Sequence, residues 1–302
     1  MKMNVAHSLF RWTKINFSCA LIVGVLFPLL FSCLQAAEKN TDTFDGLRKH
    51  LANDGFDQGK LNQYYGNPKV VFETTAISRF FHHQEASLNY GQFLAPASLR
   101  KAEQYMTQHS DWLEKAEAEY QVEKEIITAI LLVETKLGTF VGKASTLNIL
   151  SSMAALSDPD IREMLWQSLS DKTNMTRADY QKKAEQKSQW AYAELMAFLT
   201  YVDREKIAIP ADVPGSYAGA IGISQFMPSN ILKLGVDGDK DGQINLFTHA
   251  DAIFSVANYL RHHGWKPGIS PAEARKVLFA YNHSTYYVDT LMQIFSALKN
   301  PQ

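Results

Sequence analysis

Apolar residues along most of the chain recur at spacings of three and four, which is typical of amphipathic helices. The densest run covers residues 126–138, where Ile, Leu and Val fill seven positions and one carboxylate, Glu134, lies near the end. Ile127, Ile130 and Glu134 share one stripe of this helix. The pattern predicts a buried helix that stops at Gly138 with a left-handed cap. Strand-like alternation is absent, so the sequence predicts a mainly α-helical protein.

Helical periodicity predicts further helices before and after this run. One pattern continues without a break over residues 99–120, and shorter patterns cover residues 44–51, 146–156 and 190–202. Between the last two, the chain becomes distinctly more polar. That change predicts a peripheral helical subdomain over residues 157–210, inserted between elements of the main body.

Two prolines and the residues around them predict where the C-terminal helices begin. Pro228 suits the first turn of one helix, and Ser270 followed by Pro271 suits the start of another. The helix between them should end at the histidine pair 262–263. Adjacent residues do not share a helix face, so this pair is a poor metal site and is better explained as an exposed helix end.

Composition describes a globular chain and restricts its partners. Hydrophobic residues make up 46% and charged residues 20% of the 302 positions, which excludes a disordered protein and allows a sizeable core. The formal net charge is -1, so there is no overall basic field to attract nucleic acid. No nucleic-acid partner is expected.

The first 37 residues have the composition of a secretory signal. Three basic residues precede an apolar run over residues 17–31. Both cysteines of the chain, Cys19 and Cys33, lie within the first 37 residues. Two cleavage sites are open: one before Cys33, which would then carry a lipid, and one near Ala36, which would leave a soluble chain. Either way the mature chain has no disulfide and lies outside the cytoplasm.

Residues 214–228 combine three glycines and other small residues with several polar side chains. So little bulk lets another backbone or a polymer approach closely. Tight helix packing would explain Gly219 and Gly222, but not the polar Ser216 and Gln225 among them. The segment has neither a Walker lysine nor the dinucleotide glycine spacing, which argues against a phosphate-binding loop.

Residues 237–245 match the first nine positions of an EF-hand calcium loop. Asp237, Asp239 and Asp241 take positions one, three and five, and a glycine takes position six. Without a cation these carboxylates would repel one another, which favours a metal site. Position twelve lacks the usual glutamate. Asp251, three residues later, either closes a longer loop or caps the helix that follows.

A cluster of three tyrosines lies within residues 280–287, at the junction of two predicted helices. Tyr281 is beside Asn282 at the break, where it can meet a ligand. For Tyr287 we expect a role in filling the core.

Taken together, these stretches resemble the membrane-bound lytic murein transglycosylase B family of bacterial cell-wall enzymes. The resemblance extends from about residue 90 onward, and its motifs occur in the family's order at residues 133–138, 215–220, 225–229, 237–246, 255–259 and 281–285. It implies a lysozyme-like catalytic core over residues 40–300, with residues 157–210 as the additional helical subdomain. It also implies cleavage of the β-1,4 bond between N-acetylmuramic acid and N-acetylglucosamine without water, leaving a 1,6-anhydromuramoyl end.

The resemblance also assigns roles to single residues, with Glu134 as the catalytic acid and then base. The side chains implied to line the sugar site are Tyr90, Ser216, Gln225, Tyr259 and Tyr281. The ligands implied for a structural Ca²⁺ are Asp237, Asp239, Asp241, Asp251 and the backbone carbonyl of Gln243. The implied partners are peptidoglycan glycan strands in the periplasm of a Gram-negative bacterium, with outer-membrane anchoring if Cys33 is lipidated. The protein is expected to be a monomer.

The helix that carries Glu134 offers no second carboxylate for the reaction. Glu125 lies on the opposite face, and Glu123 is about 16 Å away along the helix. Retaining and inverting glycosidases ordinarily use two carboxylates roughly 5–10 Å apart. One carboxyl suffices if the acetamide of the substrate acts as the nucleophile and its 6-hydroxyl closes the anhydro ring.

One departure from the family pattern leaves other functions open. The family has a small β-rich subdomain before the Tyr281 motif, whereas here only residues 261–280 follow the preceding helix. The shorter cleft wall leaves endo- or exo-action undecided. The alternatives are a muramidase of the same fold that uses water and a catalytically weak glycan-binding protein of the envelope. A calcium sensor is disfavoured, because the chain has a single loop.

Overall fold

The structure is a computed structural model that describes residues 42–82, 89–169, 173 and 175–300. The predicted signal segment, with Cys33, lies outside these residues. In the described part of the chain, no helix has both the length and the apolar character needed to cross a membrane. The architecture there is mainly α-helical, as the periodicity predicts.

The elements of the described ranges are helices of very different length, joined by short connections and one small strand pair. In chain order the α-helices are α1 (Asp45–Asn53), α2 (Gln58–Tyr65), α3 (Thr74–His82), α4 (Pro96–Gln108), α5 (Ser110–Tyr120), α6 (Lys124–Thr135), α7 (Thr146–Ala154), α8 (Pro159–Leu169), α9 (Arg177–Arg204), α10 (Pro228–Leu234), α11 (His249–His262), α12 (Pro271–Tyr281) and α13 (Thr285–Lys299). Short 3₁₀ helices cover Tyr90–Leu94, Ala155–Ser157 and Pro210–Asp212. Two two-residue strands, β1 (Ala144–Ser145) and β2 (Pro214–Gly215), pair antiparallel.

Helix α6 is the central helix of this arrangement. Every residue from 126 to 132 is buried, on all faces of the helix. Helices α4, α5, α11 and α13 pack around it. A helix that is apolar all round is stable only when it is enclosed, so its composition and its position agree.

Helix α6 ends three residues earlier than predicted. Thr135 is its last residue, and Lys136, Leu137 and Gly138 follow with φ of 50°, 63° and 86°. The Oγ1 of Thr135 donates a hydrogen bond of 2.9 Å to the carbonyl of Ile223 and accepts one of 3.0 Å from the amide of Gly138. This tie to the small-residue segment turns the chain before the glycine is reached.

The continuous pattern over residues 99–120 is wrong as a single helix. The structure breaks it at His109, which separates α4 from α5. The imidazole of His109 packs between Tyr105 and His249, with ring centroids 4.4 and 4.3 Å apart. Because the two helices keep the same apolar spacing across the break, periodicity alone does not reveal it.

The polar region after residue 157 is helical and joins the main body through α9. This helix packs against α7 and α10, and its C-terminal half buries Leu195, Phe198 and Val202. The buried carboxylate of Glu194 accepts hydrogen bonds of 2.9 and 2.8 Å from the amide and hydroxyl of Ser229. Helix α9 thereby positions the start of α10. The subdomain limits at 157 and 210 stay a prediction.

Helices α11 and α12 follow one another directly. Only residues 263–270 lie between them, so this stretch holds no additional subdomain, as its length predicts. The buried Trp265 in this connection donates a hydrogen bond of 2.6 Å to Glu123, at the start of α6. Ser270 and Glu273 form a reciprocal capping box that begins α12.

Candidate active site

A cavity of about 450 Å³ opens at the C-terminal end of α6. Glu134 lies in its wall, beside the 3₁₀ helix Tyr90–Leu94, the small-residue segment and the junction between α12 and α13. The predicted sugar-binding residues in the lining are Tyr90, Ser216, Gln225 and Tyr281. Residues far apart in sequence thus meet around the predicted acid.

Tyr287 is a residue of the cavity that the sequence did not assign to the site. Its hydroxyl donates a hydrogen bond of 2.6 Å to Oε1 of Glu134. The ring is buried, as the sequence predicted. A buried tyrosine hydroxyl needs a hydrogen-bond partner, and this requirement is the one feature of the sequence that could have pointed to a contact with Glu134. Ser284 caps α13 by accepting a hydrogen bond from the amide of Tyr287, which fixes the first turn and the direction of the side chain.

Three aromatic rings surround the carboxylate of Glu134. Tyr281 lies nearly parallel to Tyr287, with ring centroids 6.4 Å apart, and Tyr90 meets Tyr287 edge-on at the same distance. Burial raises the pKa of Tyr281 and of Tyr287 well above the usual value, and the charge of Glu134 raises both further. Both phenols therefore stay protonated at neutral pH, and each keeps its proton for donation.

The small-residue segment forms the opposite part of the lining. The Oγ of Ser216 accepts hydrogen bonds from the amides of Ala218 and Ala220, at 3.2 and 3.1 Å. Gln225 has a φ of 49°, and its Nε2 donates to the carbonyl of Gly222 at 2.9 Å. These bonds fix the two polar side chains on a backbone of minimal bulk.

Tyr259 does not line the cavity, in contrast to the other predicted sugar-binding residues. Its side chain is buried, and its hydroxyl donates a hydrogen bond of 2.7 Å to the carbonyl of Ala280. The ring stands edge-on behind Tyr281, with centroids 4.8 Å apart. Tyr281 itself donates a bond of 2.6 Å to the carbonyl of Ser224. Tyr259 thus supports Tyr281 from the core side.

Three carboxylates of the predicted calcium loop converge. Oxygen atoms of Asp237, Asp239 and Asp251 lie within 4.8 Å of one another. The buried carboxylate of Asp251 accepts hydrogen bonds from the amides of Gly238 and Asn245, at 2.8 and 2.6 Å. The carboxylate of Asp251 therefore closes the loop. The cap of α11 is Thr248, whose hydroxyl accepts a hydrogen bond from the amide of Asp251.

Burial raises the pKa of Asp251, and the charges of Asp239 and Asp237 add to the effect. Asp241 lies outside the converging group, since its carboxylate accepts a hydrogen bond of 2.8 Å from the amide of Gln243. A set of carboxylate oxygens brought this close fits a hard cation such as Ca²⁺. The roles of Asp241 and of the Gln243 carbonyl stay predictions.

Glu134 is the one carboxylate among the described residues that line the cavity. Glu123 is engaged by Trp265, and Glu125 lies in the first turn of α6, away from the cavity. The site therefore offers one carboxyl group, oriented by a phenol, that can give a proton and take one back.

The chain is similar to known proteins along most of its length. A protein-family model described as "Transglycosylase SLT domain" matches residues 39–275. Membrane-bound lytic murein transglycosylase B of Escherichia coli (strain K12) is 36% identical over 231 residues, which cover 73% of this chain and 56% of that protein. The chain thus spans about half the length of this curated relative.

Solved structures show the same fold. Soluble lytic transglycosylase SltB1 of Pseudomonas aeruginosa aligns with a TM-score of 0.68 at 22% identity, over 84% of this chain and 97% of that one. The Escherichia coli lytic transglycosylase Slt35 in complex with calcium aligns with a TM-score of 0.65 at 25% identity, over 86% and 93%. The predicted lysozyme-like helical fold is confirmed. The chain belongs to the lytic transglycosylase family of the SLT-domain type.

Proposed function

We propose that this chain cleaves the β-1,4 bond between N-acetylmuramic acid and N-acetylglucosamine in peptidoglycan and leaves 1,6-anhydromuramoyl ends. The observation that carries the proposal is the single carboxylate, Glu134, in the described lining of the cavity, hydrogen-bonded by Tyr287. A glycosidase that activates water ordinarily needs a second carboxylate roughly 5–10 Å away. A reaction in which the substrate supplies its own nucleophiles needs only one.

In the first step, protonated Glu134 donates its proton to the glycosidic oxygen as the bond to the muramoyl anomeric carbon breaks. The acetamide oxygen of the same sugar bonds to that carbon and stabilises its positive charge. In the second step, the Glu134 carboxylate takes the proton of the 6-hydroxyl, whose oxygen displaces the acetamide and closes the anhydro ring. The acid is restored and no water is consumed.

The other lining residues are proposed to bind and orient the sugars. Tyr90 and Tyr281 present aromatic rings beside the carboxylate, and Ser216 and Gln225 present polar groups on the facing segment. Flat rings and small polar groups suit pyranose rings, which have apolar faces and hydroxyl edges. The Tyr287 hydroxyl holds the carboxyl group of Glu134 in one position for both proton transfers.

The experiment is digestion of purified sacculi by the wild type and by the Glu134→Gln variant, with mass spectrometry of the released fragments. Wild type should release anhydro-ended fragments, and Glu134→Gln should release none. Glu125→Gln makes the same change at the other end of α6 and should behave as wild type.

The products separate the remaining functions. Reducing ends from the wild type would identify a muramidase that uses water. Sacculus binding without release of fragments would identify a glycan-binding envelope protein. Retained anhydro products from Glu134→Gln would refute the assignment of the acid.

We also propose that the converging carboxylates bind a structural Ca²⁺. The support is the close approach of Asp237, Asp239 and Asp251, none of which forms a salt bridge within the described part of the chain. Asp241 and the carbonyl of Gln243 complete the proposed ligand set. The relative Slt35 has been crystallised with calcium. The ion would hold the loop closed beside α11, with no part in the proton transfers.

We infer that the protein acts in the periplasm, anchored to the outer membrane through a lipid on Cys33. The support is the signal-like composition of residues 1–37 and the membrane-bound relative in Escherichia coli. Labelled palmitate should enter the wild type and the Cys19→Ser variant, but not Cys33→Ser. Equal labelling of Cys33→Ser would refute the anchor.

A further inference from the structure

A second cavity, of about 380 Å³, adjoins the one that contains Glu134. Val133 and Glu134 line the first cavity, whereas Leu132 and Lys136 line the second, so the end of α6 separates the two. The 3₁₀ helix Tyr90–Leu94 completes the partition, because its Gln92 and Phe93 belong to both linings. The two cavities are therefore neighbours that share the wall formed by Gln92 and Phe93.

The wall between the cavities is fixed in place. The carbonyl of Gln92 accepts a hydrogen bond of 2.8 Å from the hydroxyl of Ser98, and its side-chain amide donates one of 2.8 Å to the carbonyl of Asn89. Phe93 is buried, and the 3₁₀ helix packs against α4 and α13. A ligand that occupies both cavities would therefore pass over Gln92 and leave the partition intact.

The second cavity carries unbalanced positive charge. Its lining contains two lysines, Lys101 and Lys136, and no acidic side chain. Both lysines are exposed, and neither forms a salt bridge with any residue in the described ranges. Uncharged polar groups, from two more glutamines and three hydroxyl-bearing residues, also line the cavity. Such a site suits an extended polar ligand that carries carboxylates.

The backbone gives Lys136 a conformation that side chains rarely adopt. Its φ is 50°, and the next residue, Leu137, has a φ of 63°. Two consecutive non-glycine residues in the left-handed region are disfavoured by sterics and occur mainly where the surrounding structure enforces them. Here the anchor is Thr135, bound to the carbonyl of Ile223. Lys136 is two residues from Glu134, so their Cα atoms are at most about 7 Å apart.

We propose that the second cavity binds the carboxylate-bearing peptide arm of the same peptidoglycan strand whose sugars occupy the first. This inference rests on the proposed function. The peptide is joined to the muramic acid lactyl group, on the sugar whose bond is cleaved, so an arm that passes over Gln92 reaches the lysines. Ammonium groups on flexible stems suit carboxylates whose positions vary along a peptide.

The kinetic test compares glycan that carries peptides with glycan from which an amidase has removed them. The variant is the double substitution Lys101→Gln with Lys136→Gln. Its ratio of kcat/KM on peptide-bearing to peptide-free glycan should fall about tenfold, since each exposed ion pair contributes modestly. The matched control, Lys182→Gln with Lys233→Gln, removes two exposed lysines that line neither cavity and should leave the ratio unchanged.

A binding measurement separates failure of this inference from failure of the proposed function. Calorimetry with Glu134→Gln protein and a soluble L-Ala-γ-D-Glu-diaminopimelate peptide needs no turnover. Binding should weaken with added salt, weaken about tenfold in the double lysine variant, and weaken similarly when the probe's carboxylates are amidated. Equal binding of the amidated probe, or an unchanged kinetic ratio in the lysine variant, would overturn the inference. Peptide binding without anhydro products would instead refute only the proposed function.

Discussion

The phenol of Tyr287 and the carboxylate of Glu134 are 2.6 Å apart, 153 residues from one another in the sequence. Tyr287 lies in the first turn of α13, and Glu134 in the last turn of α6. The two helices pack directly against each other, so the hydrogen bond links the centre of the core to the cavity. The proposed acid, Glu134, therefore lies at the end of α6 and is held there by α13, the last helix of the described residues.

Tyr287→Phe should lower kcat about tenfold with little change in KM, because the sugar contacts remain while the carboxyl group loses its hydrogen bond. The hydrogen bond becomes one to a charged group as Glu134 gives up its proton, and such a bond is worth about 1.5–3 kcal/mol, which corresponds to a factor of ten or more in rate. Initial rates of anhydro-product release measure the effect. Tyr286→Phe, at an exposed neighbouring ring, is the control. A rise in KM at constant kcat would show that Tyr287 acts on substrate binding.

The sequence predicted the helical class and the central helix, and the family resemblance named five candidate sugar-site residues, of which four line the cavity. It did so because apolar periodicity and the ordered motifs are local properties. The partnership of Tyr287 with Glu134 depends on how two distant helices pack, which no spacing records. The end of α6 was misplaced for the same reason, since Thr135 is tied to Ile223, a residue of the small-residue segment.

Tyr259 and Tyr281 should give different phenotypes, although they share one aromatic cluster. Tyr259→Phe loses the bond to Ala280 in the core and should cost about 1 kcal/mol of stability. Tyr281→Phe loses the bond to Ser224 at the cavity wall and should raise KM. Thermal unfolding and KM, measured on both variants, separate the two roles. If Tyr259→Phe raised KM more than Tyr281→Phe does, Tyr259 would have to contact the sugar.

Gly222 should not tolerate a methyl group. Its φ is +74°, and an added Cβ would lie 2.5 Å from both the carbonyl oxygen and the Cβ of Leu246. Gly222→Ala should therefore destabilise the protein by about 3 kcal/mol through strain and overlap together. Gly268→Ala is the matched control: its φ is +69° with no atom within 4 Å, so it should cost about 1 kcal/mol. Chemical unfolding of both variants measures the difference, and equal losses would refute the packing argument.

Removal of calcium should lower the melting temperature more at pH 7 than near pH 4. Burial raises the folded-state pKa of Asp251 above its ordinary value of 3.8, so without a metal its ionisation opposes folding. The protonated form of Asp251 is therefore favoured in the folded state. Its contribution to stability is lost as the pH rises from 3.8 through the raised folded-state pKa, because the native state binds more protons than the unfolded state in that window.

Calcium binds the ionised form and should offset this loss, so the melting-temperature difference between calcium and chelator should grow with pH. Differential scanning calorimetry at several pH values measures it. Asp239→Asn should reduce the calcium increment at pH 7, whereas Asp203→Asn, an exposed aspartate on α9, should leave it unchanged. A calcium increment that does not vary with pH, or one that persists in full in Asp239→Asn, would contradict binding at this loop.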